Sequence, residues 1–209
     1  PSRMWAGRME SLLQLGRYDE VLAQAQTPAG LRSFAAPADN ARQALILGRA
    51  HIGLQKFTEA EAYLRESLRV SPTTEAHLEL GRLLAATRRQ PEAEEQLDAA
   101  LALEPEDPEA LLMQAMRLLG KGDQAAAEPV LGQALERGHA EGQMLVQAAA
   151  LGTLAELDLA AKRFAEAEKR ADELARVAGN QPDVRYLRAR IALEQGDVER
   201  AKAELQEVL

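Results

Sequence analysis

Arginines are the residues of this sequence with the clearest capacity for recognition chemistry. Arg49 and Arg82 lie 33 residues apart, and each directly follows a Leu-Gly pair. A guanidinium group donates two parallel hydrogen bonds to one carboxylate. Two such groups brought together would suit the acidic side chains or the C-terminus of another protein. The alternative is that both arginines pair with carboxylates of the same chain, such as Glu75 and Glu79, and hold the fold together.

The sequence offers little for catalysis or metal binding. It has no cysteine and three histidines, with no His-Glu-x-x-His spacing. The Gly-Lys-Gly-Asp run at 120–123 lacks the strand and the Ser or Thr of a phosphate loop. We therefore predict no enzyme activity, no cofactor and no metal, and we interpret His51 and His77 as packing residues.

Composition and charge narrow the class of partner. Lys and Arg total 25 against 33 Asp and Glu, a net charge of −8. An acidic chain is repelled by phosphate backbones, so we expect no nucleic acid partner. No apolar run reaches the length of a membrane span, so we expect no membrane insertion by this segment. Hydrophobic residues make up 46% and aromatic residues 3%, so alanine and leucine carry the core, which favours packed helices over a sheet.

The segments that contain these arginines form a sequence repeat. LGRAHIGLQKFTEAEAYLRESLRVSP at 47–72 is followed by LGRLLAATRRQPEAEEQLDAALALEP at 80–105, with Leu, Gly, Ala, Leu and Pro at matching places. This pattern resembles the tetratricopeptide repeat, a helix-turn-helix unit of about 34 residues. The resemblance implies an all-α fold, a right-handed superhelical solenoid of stacked helix pairs.

The resemblance extends over most of the chain. We predict a single solenoid over 1–209 and expect it to be a fragment of a longer protein, since it starts without Met and ends inside an amphipathic pattern. A longer connector is expected at 27–40, and one continuous helix, extended at its N-terminal end, at 140–162. The repeats, about six in number, are predicted at 2–27, 41–73, 74–107, 108–139, 141–180 and 182–209.

Local signals support helix pairs. Thr58 precedes Glu61 by three residues, which predicts a capping box at the start of a second helix. Gly16, Gly122 and Gly196 stand where the chain must turn between helices, where a residue without Cβ is favoured. Small residues recur where two helices must approach closely. They are Gly48, Ala60, Gly81, Ala93, Ala127, Ala167, Ala189 and Ala201.

The resemblance also implies where a partner binds, because ligands of this family lie along the first helices of the pairs. We predict a partner segment that carries acidic and apolar residues, held by arginines and by an adaptable apolar surface. One subtype, which clamps acidic chaperone tails with Lys and Asn, is not carried over because those residues are missing. The predicted groove residues are Arg42, Leu45, Arg49, Arg82, Leu112, Met116, Tyr186 and Arg190.

The leading functional hypothesis is a non-catalytic scaffold within a bacterial multiprotein assembly. The sequence is loosely similar to long bacterial tetratricopeptide proteins of envelope and exopolysaccharide systems, and both periplasm or envelope and cytoplasm stay open. A second hypothesis is the substrate-recruiting arm of a larger enzyme, such as a glycosyl- or sulfotransferase. A third is self-association as a homo-oligomer, because nothing caps the apolar residues Ala201, Leu205, Val208 and Leu209.

Overall fold

The computed structural model describes residues 2–27 and 36–206, with side chains from Met4 onward, and within these ranges it contains twelve α-helices and no strand. The chain divides into two compact units, residues 1–104 and 105–209. The single solenoid over 1–209 stays a prediction. The helices of the first unit are α1 (Ser2–Gln14), α2 (Tyr18–Ala25), α3 (Pro37–Gly53), α4 (Phe57–Val70), α5 (Thr74–Ala86) and α6 (Gln90–Leu103). Those of the second are α7 (Pro108–Gly120), α8 (Gln124–Ala140), α9 (Met144–Ala160), α10 (Phe164–Ala178), α11 (Pro182–Glu194) and α12 (Val198–Gln206).

Small residues let the helices of the first unit approach closely. A Cβ added to Gly48 on α3 would lie 2.9 Å from the side chain of Leu64 on α4, so only glycine fits there without a shift. Ala60 is fully buried beside Leu64, in a core cluster that also contains Leu80 of α5. The predicted close crossings at Gly48 and Ala60 are therefore present.

The second unit is built in the same way. Ala115 of α7 and Leu131 of α8 pack with Ala150 and Leu154 of α9. Ala167 and Ala171 of α10 pack with the other side of α9 and with α11. α9 is thus packed on one side against α7 and α8 and on another against α10 and α11.

The turns within the helix pairs share one backbone conformation. The three glycines predicted at turns have positive φ angles, 69° at Gly16, 80° at Gly122 and 84° at Gly196, which confirms their assignment. Three other turns use a residue with a Cβ in the same left-handed region, where such residues are strained. These residues are Gln55, Arg88 and Lys162.

Helix capping differs from the prediction at one site. α4 begins at Phe57, one residue before Thr58, and its N-cap Lys56 has no side-chain capping bond. The capping box of Thr58 and Glu61 was therefore wrong, because Thr58 already lies inside the first turn. Caps are instead supplied by Thr73 to α5 and by acidic side chains to α7 and α8, the latter being Asp107 and Asp123.

Two predicted boundaries also change. α3 begins at Pro37, so the last residues of the connector predicted at 27–40 are helical, and residues 28–35 lie outside the described part of the chain. The helix predicted at 140–162 begins only at Met144, because the chain turns at Gly142, where φ is 69°. α9 still has 17 residues, against 13 in α5, α7 and α11. Residues 207–209, which include two of the predicted uncapped apolar residues, Val208 and Leu209, lie outside the described residues.

A buried carboxylate joins α9 to α10. Asp158 is completely buried, and its two oxygens lie 2.7 Å from Nε of Arg163 and 2.7 Å from Nε of Arg170. Arg163 also reaches Glu128 of α8 at 2.9 Å. This network fixes the pairing of α9 with α10 and extends to α8, so it positions the helix that contributes most to the candidate site.

Candidate functional site

Arg49 and Arg82, the two arginines singled out in the sequence, meet around one carboxylate. On α3, Arg49 donates from Nε to Oε1 of Glu79 on α5 at 2.6 Å, and its Nη1 lies 2.8 Å from Oε1 of Glu75. Nη2 of Arg82 lies 3.8 Å from the same Glu79 oxygen. Burial alone would lower the pKa of Arg49, but the carboxylates of Glu79 and Glu75 outweigh it and raise the pKa. The guanidinium of Arg49 is therefore held within the chain.

The other two predicted arginines have the same kind of partner. Arg42 of α3 donates two hydrogen bonds to Glu10 of α1, at 2.9 and 2.6 Å. Arg190 of α11 forms a short ion pair with Glu156 of α9 and lies 5.8 Å from the ring centre of Tyr186. Each of these pairs joins the first helices of neighbouring helix pairs. Arginine–glutamate ion pairs thus link neighbouring repeats in three places.

The apolar residues of the predicted groove divide by exposure. Leu45 is only 4% exposed and belongs to the core cluster of Ala60 and Leu64, so its assignment to a binding surface was wrong. It faces α4 and α5 because α3 packs against both helices. Leu112 is partly buried against the core of the second unit, whereas Met116 is 41% and Tyr186 57% exposed.

The second unit has a cleft that none of the eight predicted groove residues lines. It has a volume of about 460 Å³ and lies open to solvent between α9, the end of α10 and the start of α11. Its lining includes the apolar residues Leu174 and Val184, and two acidic residues, Glu156 and Asp183, are its charged members. We call it the α9 cleft. Its remaining lining residues are Ala148, Ala149, Gly152, Thr153, Ala178 and Gln181.

A second cleft of about 320 Å³ lies beside the ion pair of Glu156 and Arg190. It extends to Leu159 on α9 and to Leu193 on α11. Glu156 lines both clefts, so the two clefts are neighbours along α9 and α11.

The histidines have structural surroundings. His51 stacks on Tyr63 with ring centres 5.2 Å apart, and burial lowers the pKa of His51 below its ordinary value. His77 Nδ1 lies 2.8 Å from Oε1 of Gln96. In residues 2–27 and 36–206, no group of three potential ligands is arranged to hold a metal ion. Within those same residues, no helix has both the length and the apolarity needed to cross a bilayer.

Comparison with known sequences decides the family. The sequence profile of the tetratricopeptide repeat matches residues 45–108 and 153–209, which is more than half of the chain. The chain belongs to the tetratricopeptide repeat family. No curated protein sequence matches it.

Solved structures of other tetratricopeptide proteins share the fold. PilF of Pseudomonas aeruginosa is 18% identical with a TM-score of 0.71, over 83% of this chain and 78% of PilF. A tetratricopeptide repeat protein of Parabacteroides merdae is 16% identical with a TM-score of 0.61, over 99% of this chain and 78% of that protein. YrrB, described as having an unusual peptide-binding site, is 16% identical with a TM-score of 0.56, over 79% of this chain and 83% of YrrB. The predicted fold class, an all-α tetratricopeptide repeat solenoid, is confirmed.

Proposed function

We propose that this chain, whose repeats number about six, is a non-catalytic scaffold that holds a segment of a partner protein against the first helices of its second unit, residues 105–209. Tetratricopeptide repeat proteins are typically interaction scaffolds, and YrrB has a peptide-binding site. The observation that carries the proposal is the exposure of Met116 and Tyr186, two large apolar side chains at the first-helix positions where ligands of this family lie. An exposed methionine gives an adaptable contact surface and an exposed tyrosine gives a rigid one. Both residue types are enriched at protein–protein interfaces.

The ion pairs change the kind of partner that we propose. From the sequence, the partner was expected to offer carboxylates to Arg42, Arg49 and Arg82, with Arg190 as a further residue of the groove. A carboxylate that approached Arg49 or Arg190 would have to displace Glu79 or Glu156, and it would gain little beyond the pair that it replaced. We therefore propose that apolar contacts dominate and that these arginines mainly align the helices beneath them.

Selection of random peptides displayed on phage against the intact chain tests the proposal. Peptides that are enriched should bind the purified chain, and the double variant Met116→Ala with Tyr186→Ala should weaken them by about tenfold or more, since each truncation removes apolar contact. Leu103→Ala is the matched control, because Leu103 is an exposed apolar residue on a second helix, α6. Equal affinity for the double variant and the unmodified chain would contradict the proposed surface.

Two narrower roles from the sequence remain proposals. A substrate-recruiting arm of a transferase would use the same first-helix surface for its substrate protein. Self-association would use the last helix, where Val198 and Leu205 of α12 are exposed. Light scattering over a concentration series separates self-association from the scaffold, since the scaffold needs no change in mass.

A further inference from the structure

The α9 cleft has the features of a docking site for one class of helix. Along α9, Leu145, Ala148, Ala149 and Gly152 follow at spacings of three, four and seven residues, so they share one face over about 10 Å. Leu145 is 88% exposed and its neighbour Met144 65% exposed. A large apolar residue therefore stands at the end of a floor of small residues.

The small floor favours a helix as the occupant. Ala148, Ala149 and Gly152 have little or no side chain, so a second helix can approach α9 closely while its apolar side chains enter the volume above Leu174 and Val184. A Cβ built on Gly152 meets only the side chain of Leu174, at 3.8 Å, an ordinary contact. The space above Gly152 is thus open to a side chain from another molecule.

The charge of the cleft determines the charge that we expect of the partner. Both charged lining residues, Glu156 and Asp183, are acidic, and Glu156 already has its own partner in Arg190. Asp183 is exposed in the first turn of α11. Residues 105–209 contain 13 basic and 19 acidic residues, a net charge of −6, against 12 and 14, a net charge of −2, in residues 1–104. A cationic segment is therefore attracted to this unit more strongly than to the other.

We propose that the α9 cleft binds a basic amphipathic helix of a partner protein, with an apolar side chain above Gly152 and a Lys or Arg beside Asp183. This inference rests on the proposed function and specifies the partner that it would hold. It differs from the acidic partner expected from the arginines, because those arginines are occupied within the chain and the carboxylate at position 183 lies at the edge of the open cleft.

Three synthetic amphipathic helices test the charge. They have equal length and identical leucines, and they carry Lys, Gln or Glu at the remaining positions. Fluorescence anisotropy with the intact chain should give tightest binding for the Lys peptide, by about tenfold over the Glu peptide. Equal binding of all three, tighter binding of the Glu peptide, or no binding of any would overturn the proposal.

Two glycine variants test the location. Gly152→Leu fills the cleft with a side chain that the backbone tolerates, and leucine also has the higher helix propensity, so the variant should fold. Gly152→Leu should lower the affinity for the Lys peptide by about tenfold or more, since the apolar side chain of the peptide is excluded from the cleft. Gly132→Leu is the matched control, because Gly132 is an exposed helical glycine of α8 with open space around it. Equal loss, or no loss, in both variants would show that binding is not in the cleft.

Charge reversal completes the test. Asp183→Lys should lower the affinity for the Lys peptide by about three- to tenfold. Glu136→Lys makes the same charge change at an exposed site on α8 and should lower this affinity less. Equal effects would mean non-specific attraction to an acidic protein and would overturn the proposal. If phage-selected peptides bind Gly152→Leu as tightly as the unmodified chain, the proposed scaffold function is kept but the proposed binding site in the α9 cleft is overturned. If no peptide is selected at all, both proposals are overturned.

Discussion

Replacement of Asp158 by alanine should be among the most destabilising single changes in the second unit. The side chain is completely buried, and each of its oxygens lies 2.7 Å from an arginine Nε. Asp158→Ala leaves Arg163 and Arg170 without this counter-charge and opens a space between α9 and α10. Breaking one partner of a fully buried ion pair costs about 3–5 kcal/mol.

The expected cost is somewhat below that range because the arginines reach water. Their side chains are 40% and 25% exposed, so solvent recovers part of the lost interaction. We therefore expect the free energy of unfolding to fall by about 2–4 kcal/mol. Urea unfolding followed by far-UV circular dichroism measures this change.

A matched ion pair on the surface gives the control. Glu168 of α10 pairs with Arg200 of α12, and both side chains are partly exposed. Glu168→Ala should cost less than about 1 kcal/mol, because exposed pairs contribute little. If Asp158→Ala cost no more than Glu168→Ala, then burial of the carboxylate would not stabilise the pairing of α9 with α10, and the reasoning would be refuted.

Three further predictions concern the repeats. Lys162→Gly should raise the free energy of unfolding by about 0.5–1 kcal/mol, because glycine adopts the positive φ of this turn without strain. Gly122→Ala should lower the free energy of unfolding by about 1 kcal/mol for the converse reason. Urea unfolding measures both changes, and the opposite signs would contradict the role of this turn conformation. Arg49→Met should lower the free energy of unfolding by about 1–2 kcal/mol and leave affinity for selected peptides within about twofold; a large loss of affinity without a loss of stability would restore the arginine to the binding surface. Burial lowers the pKa of His51, so the unfolded chain takes up the proton first and the folded state loses stability as pH falls below about 6.5. Unfolding at pH 7.5 and 5.5 should show a smaller pH-dependent loss for His51→Gln than for the unmodified chain, and identical losses would contradict the assignment.

The sequence predicted the repeated parts of the fold well, because each repeat copies its own packing. Gly48 and Ala60 recur as Gly81 and Ala93, and a residue that must be small at a helix crossing can be recognised from its repetition. The glycine turns were predicted for the same reason. Gln55, Arg88 and Lys162 were not, since their side chains give no sign of a positive φ angle.

The candidate site was less predictable, because it depends on departures from the repeat. Leucine occurs both in cores and on binding surfaces, so the residue type alone does not assign Leu45 to either. Only its packing against α4 and α5 shows that it belongs to the core. The pairing of Arg49 was foreseen as one of two interpretations, but the sequence could not choose between a carboxylate of the chain and one of a partner. Asp158 could have been noticed, since Leu12 and Leu84 stand at the matching position of other repeats. A charged residue at a core position indicates a buried network.

The central claim is that partners bind along the first helices of the repeats. Hydrogen–deuterium exchange of the intact chain, alone and with a selected peptide, tests it most directly. The account predicts slower exchange in the first helices of the second unit, at 108–120, 144–156 and 182–190, with little change in α8 and α12. Protection confined to α8 and α12, with the first helices unaffected, would contradict it.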